Sequence, residues 1–271
     1  MKSLLTLFLL ASLTSCASTD TFQLIANPTP ISKDTAANIS ADQFESGLFT
    51  SSRGTQLAYR VLCPSKPIAG QQYPLVVQLH GSGEIGTNNL AQLDRLAKSW
   101  AMPDIRARYP AYVLIPQFPI RSANYGPASP TQHAVASAAL EDARELIADF
   151  RSKHAVDASR IYATGFSMGG SATWLLPKLS PNTFAAIVPI AGIAPPDSDA
   201  TSYFDLPILA MHGNADNENP ITADKRFITT ITQLGGQKAT LREYQGLIHL
   251  PPADVYPGYW WRDWLFKQRR K

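Results

Sequence analysis

Apolar runs alternate with segments of helical periodicity along most of the chain. Runs such as 73–81, 111–117 and 184–192 are apolar nearly throughout. Strands without polar alternation are typical of a parallel sheet that is buried on both faces. Residues 133–154 and 221–236 instead place apolar side chains at helical spacing. The pattern therefore predicts an α/β fold, with a mostly parallel central sheet and helices on both faces.

The first 40 residues do not follow this pattern. Lys2 precedes an apolar run, Leu4 to Leu13, which is too short to span a bilayer and is followed by small residues. These are the features of a secretory signal. The next segment is rich in Thr, Ser, Asn, Ala and Pro, which is typical of a linker. We predict a signal peptide over residues 1–15, a flexible tether over 16–40 and one folded domain over 41–271.

The segment "LTSC", Leu13 to Cys16, resembles the bacterial lipobox, in which the signal is cut before a cysteine that is then lipidated. An ordinary signal peptide with a chance cysteine is the alternative. The resemblance implies membrane attachment through lipidated Cys16 and a location in the bacterial cell envelope. Residue 17 is Ala rather than Asp, so for a Gram-negative lipoprotein the resemblance implies the outer membrane, with the domain facing the periplasm or the surface. Cys63, the second cysteine, is then expected to be a free thiol.

Composition narrows the function classes. The chain has 271 residues, 45% of them hydrophobic and 17% charged, which is ordinary for a globular protein. A net charge of +3, from 24 basic and 21 acidic side chains, is too balanced to predict nucleic-acid binding. The cysteines and histidines do not have zinc-ligand spacing. We expect no metal, no cofactor and no nucleic-acid partner.

The segment "GFSMG", Gly165 to Gly169, places a serine between two glycines where a strand gives way to a helix. The pattern alone is common, but at such a junction a sharp turn can expose the serine hydroxyl. A serine nucleophile also needs a base. Two histidines follow Ser167: His212 ends a strand, whereas His249 lies in a loop before the terminal helix. We predict that Ser167 is the nucleophile and His249 its base.

The acid partner is expected between these two residues in the chain. Candidates in the strands, helices and connections are Asp197, Asp199, Asp205, Asp224 and Glu243. Asp216 and Glu218 instead follow directly after the strand that ends in "AMHG". A loop at the end of a strand can aim a carboxylate at a histidine on a neighbouring loop. We therefore predict Asp216, with Glu218 second.

The segments "LHGSGEIGTNN", "GFSMGGSATW" and "MHGNADNENP", together with His249, resemble the α/β-hydrolase superfamily. They are most similar to its single-domain esterases, the branch of dienelactone hydrolases and polyhydroxybutyrate depolymerase-like proteins that includes bacterial "predicted peptidases". The resemblance covers residues 49–271. It implies an oxyanion hole formed by the N–H groups of Ser82 and Met168. His80 is expected to be structural, and whether Glu84 lines the site stays open.

We predict a serine hydrolase that cleaves small-molecule carboxylic esters through Ser167, His249, Asp216 and an acyl-enzyme. A serine peptidase would use the same residues, and a non-catalytic binding lipoprotein is an alternative from another class. The connection Ile193 to Phe204 is too short for a helical cap. We therefore expect no large cap domain and an open site for esters of modest size. Trp174 and Tyr203 are candidate aromatic contacts, although such residues are more often in the core.

Overall fold

The computed structural model describes residues 20–31 and 34–270. The predicted signal peptide and Cys16 lie outside these residues. The strands of the described part are β1 (Phe22–Ile25), β2 (Glu45–Thr50), β3 (Gln56–Leu62), β4 (Tyr73–Leu79), β5 (Tyr112–Pro116), β6 (Ala123–Asn124), β7 (Val135–Ala136), β8 (Val156–Phe166), β9 (Ala186–Ile190), β10 (Ile208–Gly213) and β11 (Ala239–Tyr244).

The helices lie mainly between the strands of the sheet. They are α1 (Asp34–Ala37), α2 (Arg95–Ser99), α3 (Pro103–Arg108), α4 (Ala138–Lys153), α5 (Met168–Leu179), α6 (Thr222–Gln233) and α7 (Tyr259–Lys267). In the part of the chain that the structure describes, no helix is both long enough and apolar enough to cross a membrane.

One nine-stranded sheet organises the domain, with the order β1-β11-β10-β9-β8-β4-β5-β3-β2. Its strands are parallel from β1 to β5, whereas β3 pairs antiparallel with β5 and with β2. All residues of β4, β9 and β10 are buried, as their continuous apolar sequences predicted. The structure thus confirms the predicted α/β fold with a mostly parallel sheet.

Helices cover the sheet on both faces because successive strand residues point in opposite directions. In β4, Leu75 and Val77 join the core formed with α4, α5 and α6. Val76, between them, joins the opposite core, to which α2, α3 and α7 contribute. The sheet therefore separates two apolar cores, and its carboxyl edge carries the loops from which a site can be built.

The N-terminal segment differs from the predicted tether. Phe22–Ile25 adds a parallel edge strand to β11 over four residue pairs. Ala36 in α1 is fully buried, and the Ile31 N–H donates to the Ala253 carbonyl at 2.8 Å. The described residues before position 41 therefore pack on the domain. Main-chain pairing with a distant strand supplies this order, and a short polar segment gives little local signal for it.

Two connections near the carboxyl edge of the sheet bear on the predicted element boundaries. Helix α4 begins at Ala138 rather than at 133, because β7 pairs with β6 and the Ser137 hydroxyl then caps the helix by accepting from the Ala139 N–H at 3.1 Å. The connection from β9 to β10 contains one 3₁₀ turn, Asp197–Tyr203. As predicted, that connection carries no cap domain.

Candidate active site

Ser167 lies at the turn from β8 into α5, at the carboxyl edge of the sheet. Its backbone is left-handed, with φ 58° and ψ −120°, a conformation that costs energy for a residue with a side chain. A Cβ on Gly165 would lie 2.6 Å from the Leu79 and Gly169 carbonyl oxygens, and one on Gly169 would lie 2.2 Å from the Leu79 oxygen. Only glycine fits such close approaches. The two glycines therefore let the helix start directly against β4 and present Ser167.

Three predicted residues form a hydrogen-bonded row. The Ser167 hydroxyl lies 2.8 Å from His249 Nε2. The opposite nitrogen, His249 Nδ1, lies 2.7 Å from Asp216 Oδ2. Because a carboxylate only accepts, Nδ1 carries the proton and Nε2 is free to accept from the serine. This is the arrangement that a serine nucleophile and its general base require.

Neighbouring loops hold the row together. Ser167, Asp216 and His249 follow β8, β10 and β11, and all three strands end at the same edge of the sheet. The Ala215 N–H donates to the Leu247 carbonyl at 3.1 Å, which ties the aspartate loop to the histidine loop. The Phe166 ring packs 4.9 Å from the His249 ring. These contacts limit the freedom of the imidazole between its two partners.

The Asp216 carboxylate is held in its ionised form. Burial alone would raise its pKa, but hydrogen bonds from His212, His249 and the Asn219 N–H hold the pKa of Asp216 below its ordinary value. Its Oδ1 accepts from the N–H groups of Glu218 and Asn219, at 3.0 and 2.9 Å. A fixed negative charge therefore lies beside His249, where it favours the proton that the imidazole would receive.

The other carboxylates are engaged elsewhere. Glu218 is 72% exposed and approaches His249 only on the Nε2 side, at 3.9 Å. Each remaining candidate has its own cationic or histidine partner: Asp197 with Arg226, Asp199 with Lys178, Asp205 with Lys238, Glu243 with Lys225 and Asp224 with His212. Of the predicted acids, only Asp216 meets His249 Nδ1.

The two predicted oxyanion donors begin helical turns beside Ser167. Met168 is the first residue of α5, so its N–H has no acceptor within the helix. Ser82 starts the 3₁₀ turn Ser82–Glu84 after Gly81. A Cβ on Gly81 would lie 3.8 Å from Ser167 Cβ, so this loop adjoins the serine. Both N–H groups belong to turns next to the hydroxyl, and their role as oxyanion donors stays a prediction.

His80 fixes one of these peptide groups. Its Nε2 accepts from the Phe118 N–H at 2.9 Å, so Nδ1 carries the proton and donates to the Gly81 carbonyl at 2.7 Å. That carbonyl shares a rigid peptide plane with the Ser82 N–H, and its position therefore sets the N–H direction. Burial lowers the pKa of His80 to about 4, although the bond to Gly81 opposes this. His80 is thus neutral at ordinary pH and structural, as expected.

The structure also places the candidate aromatic contacts Trp174 and Tyr203, and Glu84. Trp174 and Tyr203 are both fully buried, so they belong to the core and do not face a substrate. Glu84 is half-buried, and its Oε2 lies 3.1 Å from the point where a Cβ on Gly81 would stand. Burial raises the pKa of Glu84, against hydrogen bonds from its own N–H and that of Gly81. Its carboxyl group therefore borders the loop that carries Gly81 and Ser82.

Sequence reasoning missed the contact of His212 and Asp224 with this site. From the sequence, His212 is a histidine at the end of a strand and Asp224 is one of the less favoured candidate acids. In the structure His212 Nε2 lies 3.4 Å from Asp216 Oδ2, and Nδ1 lies 2.9 Å from Asp224 Oδ2. The pairing joins a strand to a helix 12 residues later. The only sequence signal is a histidine and three carboxylates, Asp216, Glu218 and Asp224, within that short span.

Comparisons with known proteins find similarity to esterases. The family model described as phospholipase/carboxylesterase matches residues 66–254. A curated relative from Nocardia uniformis subsp. tsuyamanensis, provisionally named esterase NocK, is 26% identical over 62% of this chain and 47% of its own length. A provisionally named carboxymethylenebutenolidase from Salmonella typhimurium is 27% identical over 42% of this chain and 44% of its own length. The chain thus spans about half the length of these relatives.

A solved structure also matches most of the described domain. It is a thermostable esterase, 31% identical, with a TM-score of 0.76 over 84% of this chain and 64% of the esterase chain. Similarity of sequence and of backbone therefore points to the same group of proteins as the motifs do.

Asp216→Asn should lower kcat by about 10⁴-fold, because the amide no longer supports the required tautomer of His249. The matched control is Asp205→Asn, whose side chain is 93% exposed and faces only Lys238, so its turnover should stay unchanged. Steady-state kinetics on an aryl ester, with thermal melts of all three proteins, make the comparison. Equal losses in both folded variants would show that Asp216 is not the acid.

Proposed function

Because the chain belongs to the phospholipase/carboxylesterase family of α/β-hydrolases, we propose that it hydrolyses small carboxylic esters through Ser167, His249 and Asp216. One observation carries the proposal most: the Ser167 hydroxyl lies 2.8 Å from His249 Nε2, whose ring also lies 2.7 Å from Asp216. The esterase names of the curated and solved relatives are a second, independent support.

The proposed reaction has two displacements. Ser167 Oγ attacks the ester carbonyl carbon while its proton passes to His249 Nε2, and the charge on the carbonyl oxygen is stabilised by the N–H groups of Ser82 and Met168. The alcohol then leaves with the proton from His249, and the acyl group stays on Ser167. Water repeats the attack and gives its proton to His249. The acid is released and Ser167 regains its proton.

Each group contributes by its charge or its position. An amide donor aimed at the developing oxyanion can stabilise the transition state by about 3 kcal/mol. Ionised Asp216 favours the imidazolium form of His249 in both displacements, because the carboxylate holds its negative charge at 2.7 Å from Nδ1. The chemistry uses only groups of this chain and water.

The surroundings of His249 favour a substrate with an apolar part. Ile248 and Leu250, on either side of His249, are 54% and 52% exposed. We propose that short acyl or aryl groups rest against these two apolar side chains. The short connection between β9 and β10 leaves the site without a cap.

Two alternatives remain open to experiment. A serine peptidase would use the same three residues on an amide. A non-catalytic binding protein would keep the scaffold without turnover, but it would gain nothing from a hydroxyl, an imidazole and an ionised carboxylate in hydrogen-bonded order. Turnover separates the enzyme from the binder, and the nature of the leaving group separates esterase from peptidase.

Ser167→Ala should retain the fold and lower turnover of an aryl acetate on the order of 10⁴- to 10⁶-fold, because the variant lacks the hydroxyl that forms the acyl-enzyme. Ser202→Ala is the control, since Ser202 is an exposed serine in the 3₁₀ turn. Initial rates at saturating ester make the measurement. Near-normal activity of folded Ser167→Ala would refute the mechanism.

The protein should prefer esters to amides. Amine leaving groups require stronger protonation than aryl alcohols do. We therefore expect a much higher kcat/KM for a short acyl aryl ester than for the matched anilide or peptide amide. A clear preference for the amide, or activity only on emulsified long-chain lipid, would favour another substrate class.

We also propose that the full chain is anchored to the bacterial envelope by lipid on Cys16, in the outer membrane. Cys16→Ser should then move the protein from the membrane fraction to the soluble fraction, because stable anchoring depends on the acyl chains. Cys63→Ser, at the other cysteine, should stay with the membranes. A wild-type protein that is already soluble in the periplasm would contradict the lipid anchor.

A further inference from the structure

A second histidine lies behind the acid of the row. The side chain of His212, on β10, is fully buried, and its Nδ1 lies 2.9 Å from Asp224 Oδ2. Its Nε2 lies 2.7 Å from the Asn219 carbonyl oxygen and 3.4 Å from Asp216 Oδ2. Both ring nitrogens thus face oxygens that accept hydrogen bonds.

This surrounding favours the doubly protonated ring. The Asn219 carbonyl can only accept, so His212 Nε2 carries a proton, and Nδ1 faces a carboxylate. Burial alone would lower the pKa of His212, but the hydrogen bonds with Asp216 and Asp224 raise it to about 9. Burial raises the pKa of Asp224 as well, against the hydrogen bond and the charge of His212. Because the Asn219 carbonyl keeps Nε2 protonated and Nδ1 donates to Asp224 Oδ2, we assign the ring as a cation between two carboxylates. Their charges compensate one another in a region that excludes water.

Other charged groups nearby are already paired. Glu243, opposite His212 in the β10–β11 register, lies 2.6 Å from Lys225. His249 faces Asp216 Oδ2 from the other side, at 2.7 Å. The groups that directly contact His212 are Asp216, Asp224 and the Asn219 carbonyl, whereas Glu243 acts on it only through space.

Asp216 is consequently held from several directions. The N–H groups of Glu218 and Asn219 bind Oδ1, and the two imidazoles face Oδ2. The Asn219 side chain also donates to the Ala191 carbonyl at 2.9 Å. His212 is the one member that belongs to a buried strand, so it links the acid and its loop to the rigid sheet.

We propose that His212 is a positioning residue, whose buried imidazolium is fixed by Asp224 and holds Asp216 and its loop so that Oδ2 meets His249 Nδ1. This inference rests on the proposed function, since it assigns His212 a part in that reaction. Without the cation, two buried carboxylates would face each other and Asp216 would move away from Asp224. His249 would then lose part of its support, and small misplacements of this kind reduce turnover strongly.

Asp224→Asn tests the inference with little change in size. Its side-chain oxygen can still accept from His212 Nδ1, but the negative charge that keeps the imidazolium protonated is gone. We expect kcat to fall between about tenfold and about a hundredfold, with KM for a short aryl ester unchanged, because Asp224 is buried in α6 and touches no substrate. Asp199→Asn, at a buried carboxylate paired with Lys178, is the control and should retain normal kcat.

The pH dependence of kcat separates a positioning role of His212 from a general destabilisation of the fold. In the wild type, kcat should fall as the pH rises through about 9, where His212 loses its proton. In Asp224→Asn this alkaline limb should move to lower pH, and in His212→Gln it should be absent from this range. The same proton stabilises the folded wild type fully below about pH 6.5, the ordinary histidine pKa, and this stabilisation is lost as the pH rises through about 9.

A spectroscopic measurement gives an independent result. In ¹⁵N-histidine spectra of Ser167→Ala, one imidazole should stay doubly protonated until the pH reaches about 9, and the same signal should titrate earlier when Asp224→Asn is added. An unchanged kcat and alkaline limb in Asp224→Asn, or the absence of such an imidazole, would overturn the role of His212. That outcome would leave the proposed function intact. The proposed function would instead be refuted if folded Ser167→Ala stayed active.

Discussion

A left-handed backbone at Ser167, φ 58°, joins a buried strand to a buried helix, and the rest of the site is arranged around this turn. A side chain in such a conformation costs on the order of 1 kcal/mol or more, and the sheet supplies the contacts that hold it. Gly165 and Gly169 bring α5 within backbone contact of β4. The same close approach puts the loop at Gly81 beside Ser167. One steric constraint thus places both the Ser167 hydroxyl and the neighbouring peptide groups.

Acidic and basic side chains alternate in a line that ends at this turn. From the core outward, Asp224, His212, Asp216 and His249 alternate acid and base until the series ends at Ser167. Three other buried carboxylates, Asp142, Asp199 and Asp254, instead pair with arginine or lysine. Histidine differs because it can exchange a proton near neutral pH. The side chains that contact the Asp216 carboxylate are thus two histidines, His212 fully buried and His249 partly exposed.

Much of this arrangement could be predicted from the sequence, because the parallel strands are apolar throughout and the glycines mark the turn at Ser167. Chain order and loop position selected His249 and Asp216. Long-range contacts gave no comparable signal. The edge strand Phe22–Ile25 is four residues long, with Phe22 44% and Leu24 63% exposed, and its partner β11 lies more than 200 residues later. The pairing of His212 with Asp224 likewise appears only when α6 packs against the sheet.

The central claim is that Ser167, activated by His249, is the nucleophile, and chemical labelling tests it most directly. The folded protein would be treated with a fluorophosphonate and digested with trypsin, and the peptide of residues 161–178 would be sequenced by mass spectrometry. We expect one adduct, on Ser167, and none when the protein is unfolded before treatment. An adduct on Ser171 or on another residue of the folded protein, or no adduct at all, would contradict the account.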